Sequence, residues 1–328
     1  MKIRREVRSL IIFSLSVLFA SACLKDDTEE YQTAHDTAFN MLKVHYGFTE
    51  NDNIGDNIYV HFTDIPDTLI QSTVYADGSD YIVVDYVGIN SNLEIFDLTV
   101  QEIAEDNGIS RNDIVYGPVR LKIDQAFLGF YKAIQRIPEQ GSATILVPHD
   151  QAFLDYEPLV YEITNYRVFN DLDEYNSWQF QSYMDSLGMS ADSSLEDAAD
   201  VYYVTLNSGD SIPNLETGDT VTISLYGYYV ETDTAYVEGF PGRQFFPINE
   251  SGDTIKFALG DVSFPVSPII NTVLLEMKLG ETREILSPAE YAYDTEGFVH
   301  PYVGVYIVPP SMPLHYTVSL IDYEKITY

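Results

Sequence analysis

The chain has 328 residues, of which 45% are apolar and 21% charged, enough for a sizeable core and a prior of about two domains. Acidic side chains outnumber basic ones 51 to 17, and the formal charge of −34 excludes a nucleic-acid partner, because phosphate contacts need clustered Lys and Arg. The lone cysteine, Cys23, excludes an internal disulfide and a Cys-based zinc site, while 26 tyrosines and 17 phenylalanines lean toward strands.

Residues 1–22 open with Lys2, Arg4, Arg5 and Arg8 and continue through an apolar run from Leu10 to Ala20. Small residues then lead into Cys23. A positive head, a short apolar segment and a small-residue exit describe a secretory signal, and the run is shorter than the roughly 20 residues that span a bilayer. With cysteine at the exit, the segment resembles a bacterial lipoprotein signal, although Ala20 stands where leucine is usual. The resemblance implies that Cys23 is the lipidated first residue of the mature chain, meeting the membrane by its lipid anchor only. An ordinary signal peptide with an incidental cysteine is the plainer alternative. Loss of four basic groups and Glu6 with the leader takes the formal charge from −34 to −37. Residues 23–29 form an acidic tether. Within it Leu24-Lys25-Asp26-Asp27 resembles the export signals of surface lipoproteins in the Bacteroidetes, and equally fits a merely solvated linker. The expected location is the outer membrane, facing the periplasm or the cell surface.

The rest of the chain is written twice. Helical stretches begin near Tyr31 and near Tyr175, each followed by an alternating strand, Ile58 to Phe62 and Val201 to Thr205. Turn-rich links lead to a second pair of strands, Tyr81 to Tyr86 and Val221 to Tyr226. Each half continues with a strand (Val119 to Ile123; Ile255 to Leu259) and a short apolar helix (Phe127 to Ile137; Val266 to Met277). A strand ending at Pro148 or Pro288 follows, and an alternating strand closes each half (Leu159 to Ile163; Leu314 to Val318). Pairing Tyr86 with Tyr226 gives an offset of 140 residues. A tandem duplication of one α+β unit is expected, with domains over 30–168 and 169–328.

The second half resembles the FKBP-type peptidyl-prolyl isomerases through Gly218-Asp219-Thr220-Val221, Ile255-Lys256-Phe257, Met277-Lys278-Leu279-Gly280, Tyr291-Ala292-Tyr293 and Val308-Pro309-Pro310. The first half resembles them more weakly through Asp85-Tyr86-Val87-Gly88 and Ile95-Phe96-Asp97, and its link from Phe153 to Pro158 lacks the Tyr-Ala-Tyr hairpin. The resemblance implies two tandem FKBP-like domains, each a twisted antiparallel sheet wrapped on a short helix and preceded by a leader helix, with an aromatic pocket between sheet and helix. Family pocket positions fall on Tyr226, Tyr236, Phe257, Val266, Ile270, Tyr293, Val308 and Tyr316 in the second half, Tyr293 and Tyr226 being the catalytic candidates. In the first half they fall on Tyr86, Phe96, Asp97, Phe127, Phe130 and Tyr161 as substrate-binding residues. Each set is incomplete. Val237 stands for an aspartate, Ile270 for a tryptophan and Ile255 for an aromatic wall, while Phe153 near the phenol position donates no hydrogen bond.

Prolyl isomerisation needs no nucleophile. Its barrier is amide resonance, about 18–20 kcal/mol for an ordinary peptide bond, and a dry aromatic pocket disfavours the planar dipolar form. Core packing is the alternative role for each aromatic strand residue taken singly. The six histidines lack ligand spacing, and P-loop, Rossmann and nucleophile-elbow patterns are absent, so no metal and no cofactor is expected. The expected function is an envelope lipoprotein binding proline-containing or partly unfolded polypeptide, with weak isomerase activity, where present, in the second domain. A non-catalytic scaffold or chaperone module is the first alternative. A surface glycan- or nutrient-binding lipoprotein is the second.

Overall fold

The computed structural model describes residues 31–65, 74–111, 114–152, 157–189, 194–195, 198, 200–231, 243–246, 254–261, 266–299 and 306–326. The leader and Cys23 lie outside the described residues, as do Phe153, Tyr236 and Val237. The chain divides into two units, Met1–Leu98 with Leu121–Val168, and Thr99–Arg120 with Phe169–Tyr328. The segment Thr99–Arg120, expected inside the first domain, is thus grouped with the second.

In chain order the first unit contains helix α1 (31–45) and strands β1 (Asn53–Gly55), β2 (Ile58–Asp64), β3 (Tyr81–Ile89) and β4 (Ile95–Leu98). Helix α2 (Gln101–Asp106) goes with the second unit. Then come β5 (Val119–Lys122), helix α3 (Leu128–Ile134), β6 (Gly141–Val147) and β7 (Leu159–Phe169). The sheet runs β1-β2-β6-β7-β3-β4, with β5 pairing β3. Its centre is a continuous apolar surface, Ile82, Val83, Val84, Ile145, Leu146, Val147 and Val160 being at most 0% exposed. Each such aliphatic side chain contributes about 1.5–3 kcal/mol by leaving water.

The second unit adds helix α4 (Leu172–Leu187), β8 (Tyr202–Ser211), β9 (Thr220–Tyr229), β10 (Gln244–Phe246), β11 (Ile255–Ala258) and helix α5 (Pro268–Glu276). Strands β12 (Leu279–Ser287), β13 (Phe298–Val299), β14 (Tyr306–Val308) and β15 (Leu314–Glu324) complete it. The sheet order β10-β9-β15-β12-β8, with β11 pairing β9, repeats β4-β3-β7-β6-β2 with β5 pairing β3. Each strand pair matched in the sequence thus occupies the same place in its own sheet. Two antiparallel sheets of matching strand order, each packed against one short helix, α3 or α5, follow from one pattern written twice.

Strand β9 alternates cleanly, and its buried face carries Val221, Ile223, Leu225, Gly227 and Tyr229. Four of these join α5 in the main core through Ile269, Ile270, Val273 and Leu274. The opposite face of the sheet is covered by α4. Asp171 caps that helix by accepting from the amides of Asp173 and Glu174, and Gly188 ends it in the left-handed conformation at φ 65°. Tyr183 and Met184 of α4 pack with Val230 and Leu286 in a separate cluster. There the Tyr183 hydroxyl meets His315 Nδ1 at 3.1 Å. Burial pulls the His315 pKa down to about 4, so the imidazole is neutral in the fold.

Candidate functional site: two aromatic pockets

In the first unit the aromatic residues expected at the pocket come together. Tyr86 from β3, Phe96 and Asp97 from β4, Phe127 and Phe130 at the start of α3, and Tyr161 from β7 form one cup. Tyr161 is its centre. Its ring lies 5.9 Å from Tyr86, 5.9 Å from Phe96, 5.7 Å from Phe127 and 5.6 Å from Phe130. These are edge-to-face and tilted contacts of the kind that add about 0.5–1.5 kcal/mol beyond area burial. The close approach depends on Gly88, where a β carbon would fall 2.8 Å from Phe96 Cζ and 3.0 Å from Tyr161 Cε1. Tyr86 donates its hydroxyl to Asp97 Oδ2 at 2.9 Å. Burial, reinforced by the Asp97 carboxylate, pushes the Tyr86 pKa far up, so the phenol stays a donor. The cup is open on one side: Phe130 and Tyr161 are 4% exposed, while Phe96 is 40% exposed and Asp97 faces solvent. An apolar floor, an accessible aromatic rim and one oriented carboxylate suit a prolyl or other apolar side chain carried by a polar backbone.

The second unit fills the equivalent space differently. Gly227 is the counterpart of Gly88, because a β carbon there would fall 2.6 Å from Phe245 Cζ. Gly88 pairs with Asp97, whereas Gly227 pairs with Phe246. Counting from these glycines, Leu225 takes the place of Tyr86, Phe245 that of Phe96 and Phe246 that of Asp97. Tyr161 faces Ile145 in the first sheet as Tyr316 faces Ile285 in the second. Phe127 and Ser267 are the N-caps of their helices, and Phe130 and Ile270 follow three residues later. The phenol–carboxylate pair of the first cup therefore has no equivalent here.

Tyr226 lies one residue out of phase with the inward face of β9, since Leu225 and Gly227 hold the buried positions. A slip of one residue sends a strand side chain to the other face of its sheet. The remaining expected residues do gather. Phe257, Val266, Ile270, Val308 and Tyr316 belong to the main core, with Tyr293 packed against it. Tyr293 is set by the turn after Pro288, where the Gly297 amide donates to the Tyr293 carbonyl at 3.0 Å. Its ring stacks on Phe298 at 5.2 Å, and burial raises its pKa well above the ordinary phenol value. The chamber is mostly buried: Ile270 and Val308 are 0% exposed, Tyr316 1%, Phe245 2% and Phe257 6%, while Tyr293 and Phe298 keep partial exposure. Two hydroxyls are buried inside it, Ser267 Oγ and Tyr316 OH; burial raises the Tyr316 pKa well above the ordinary phenol value, and interaction with the Ser267 hydroxyl offsets this in part.

Phe245 was not among the sequence candidates, yet it stacks on Tyr229 at 5.3 Å and meets Tyr316 edge-on at 6.0 Å. The available signal was the short strand Gln244-Phe245-Phe246, hidden behind the long link after β9. Elsewhere, His35 stacks on His149 at 4.8 Å. Among the described residues no group of three His, Cys, Asp or Glu is placed to hold a metal, and no helix is long and apolar enough to cross a membrane.

Comparison with known proteins bears on the second unit most directly. Residues 212–321 match the family model described as FKBP-type peptidyl-prolyl cis-trans isomerase. No curated protein matches the chain. Among solved structures, the three FKBP domains of wheat FKBP73 align over 82% of this chain and 95% of that one, at 14% identity and a TM-score of 0.32. FkpA from Escherichia coli aligns over 47% of this chain and 62% of its own, at 19% identity and a TM-score of 0.34. A peptidyl-prolyl cis-trans isomerase from Pseudomonas syringae pv. tomato aligns over 47% and 94%, at 18% identity and a TM-score of 0.34. The family match is confined to residues 212–321, all within the second unit of this two-unit α+β fold.

Proposed function

We propose that the chain binds proline-containing or partly unfolded polypeptide, and that the aromatic cup of the first unit is the site that receives it. The observation that carries this reading is the convergence of Tyr86, Phe96, Asp97, Phe127, Phe130 and Tyr161 around an opening that leaves the Phe96 ring 40% exposed. A prolyl ring entering there displaces water from the Phe96 face and rests against Tyr161. Removing the prolyl amide from water disfavours its planar dipolar form, so slow isomerisation accompanies binding without any covalent step. The burial of Ile270, Phe245 and Tyr316 in the second chamber supports binding by the first unit rather than catalysis by the second. The leader pattern ending at Cys23 supports an envelope lipoprotein anchored by its acyl chains at the outer membrane.

Titration of the full chain with a Leu-Pro-Phe peptide tests the assignment. Saturable binding that weakens about tenfold or more in Phe96→Ala, a substitution at an exposed ring, is the expected result. Equal affinity in Phe96→Ala and the parent overturns it. A proline-limited refolding assay at micromolar protein separates the catalytic form from a non-catalytic scaffold: binding without acceleration supports the scaffold.

A further inference from the structure

Residues from the link between β4 and β5 belong to the second unit. Val115 packs on the core that contains Tyr229, Phe245, Val308 and Tyr316. Arg243, just before β10, grips the backbone that follows. Its Nη1 donates to the Tyr116 carbonyl at 2.7 Å and its Nη2 to the Pro118 carbonyl at 2.9 Å. The guanidinium is itself held by buried Glu231, with Nε at 3.0 Å and Nη2 at 2.5 Å from its carboxylate, and lies 5.2 Å from the Tyr229 ring centre. Such a planar, bidentate fork keeps its geometry when dehydrated. Between the two gripped carbonyls Gly117 adopts φ 117°, and a β carbon there would run into the guanidinium, so only glycine passes. Pro118 is buried. Arg120 fastens the far end by donating to Asn176 Oδ1 and reaching Met312.

A Tyr-Gly-Pro-Val segment is therefore clamped by Arg243 beside the core that contains the aromatic chamber. We propose that Val115–Arg120 is a built-in strap that holds the second chamber shut, and that its release opens the chamber to a prolyl segment of another polypeptide. The proposal rests on the prolyl-binding reading given above for the first unit.

Two variants loosen the strap from opposite sides. Val115→Asp places a charge against the apolar core, and Arg243→Lys keeps a cation for Glu231 while losing the bidentate grip. Hydrogen exchange of residues 114–120 reads the strap, and methyl NMR of Ile270 and Val308 in the full chain reads both the fold and the chamber. Exchange about tenfold faster in either variant, with Ile270 and Val308 methyls shifted by a Leu-Pro-Phe peptide only in that variant, is the expected result. Exchange as fast in the parent as in both variants overturns the clamp. Faster exchange with unmoved Ile270 and Val308 methyls, while the same peptide still shifts the Phe96 ring resonances, overturns the strap alone. A peptide that shifts neither the chamber nor Phe96 in any variant overturns the strap and the prolyl-binding reading together.

Discussion

The two units present the same sheet order, the same central glycine and the same ring on the last strand, yet one pocket is an open cup and the other a mostly buried chamber. The difference lies in three positions. Tyr86 and Asp97 give the first cup a polar, hydrated edge, whereas Leu225 and Phe246 give the second an apolar one. Water that would keep a pocket open has a carboxylate to bind in the first unit and none at the matching place in the second. The third position is the ring facing the glycine: Phe96 is 40% exposed and Phe245 2%. A shared fold therefore does not imply a shared site, because a pocket is kept by its rim as much as by its floor. The family match and the open cup also fall on different halves of the chain, residues 212–321 for the one and the first unit for the other.

That contrast makes a large difference in stability the first expectation. Phe245→Ala should cost about 3–5 kcal/mol, the range for deleting a buried aromatic side chain, because nothing can refill the space between Gly227 and Tyr316. Phe96→Ala, at the same strand position of the other unit, should cost about 1 kcal/mol or less, since much of its ring already faces solvent. Urea unfolding of the two variants measures both. Equal losses would mean that the cup and the chamber are packed alike, and the contrast would collapse.

A second expectation uses acidity to separate the units. His315 of β15 sits where β7 has Val160, and both are buried. With its pKa lowered from the ordinary 6.5 to about 4, His315 remains neutral in the folded unit while the unfolded chain takes up a proton. More protons bound by the unfolded state means that stability falls as pH falls, from about 6.5 down to about 4, by on the order of 2–3 kcal/mol. Hydrogen-exchange protection of β12 and β15 should drop across this window. His315→Val should flatten the pH slope of the second unit and leave the slope of the first unchanged. A slope that survives the substitution would assign the acid sensitivity to the carboxylates instead.

Much of this organisation is legible in the sequence, and the failures have physical causes. The duplicated strand order follows from apolar runs whose length and bounding turns are local properties. The first cup is legible because Tyr86, Gly88, Phe96 and Asp97 sit close together on adjacent strands. In the second unit, Tyr226, Tyr228 and Tyr229 all carry the residue type the pocket calls for. Only the register fixed by Gly227 tells which face each one serves, and register is set by cross-strand pairing rather than by composition. Phe245 escapes because β10 follows a link whose length obeys no local rule. The strap escapes for a different reason: residues 114–118 carry no pattern of their own before the Val119 strand, and the contact that holds them comes from Arg243, more than a hundred residues later.

The smallest expected effect probes the polar rim itself. Tyr86→Phe removes only the hydroxyl that donates to Asp97, so the ring contact with Tyr161 and the floor of the cup remain. Because Asp97 faces water, its carboxylate regains solvent when the phenol is lost, and stability should change by no more than about 0.5 kcal/mol. Affinity for a Leu-Pro-Phe peptide should fall further, by about 0.5–1.5 kcal/mol or roughly two- to tenfold, because an unanchored Asp97 must be ordered when the peptide covers it. Calorimetric titration of parent and variant resolves a change of this size. Should Tyr86→Phe bind as tightly as the parent while Phe96→Ala does not, the cup works through its apolar rim alone. The phenol–carboxylate pair would then serve to hold β3 against β4 rather than to receive a ligand.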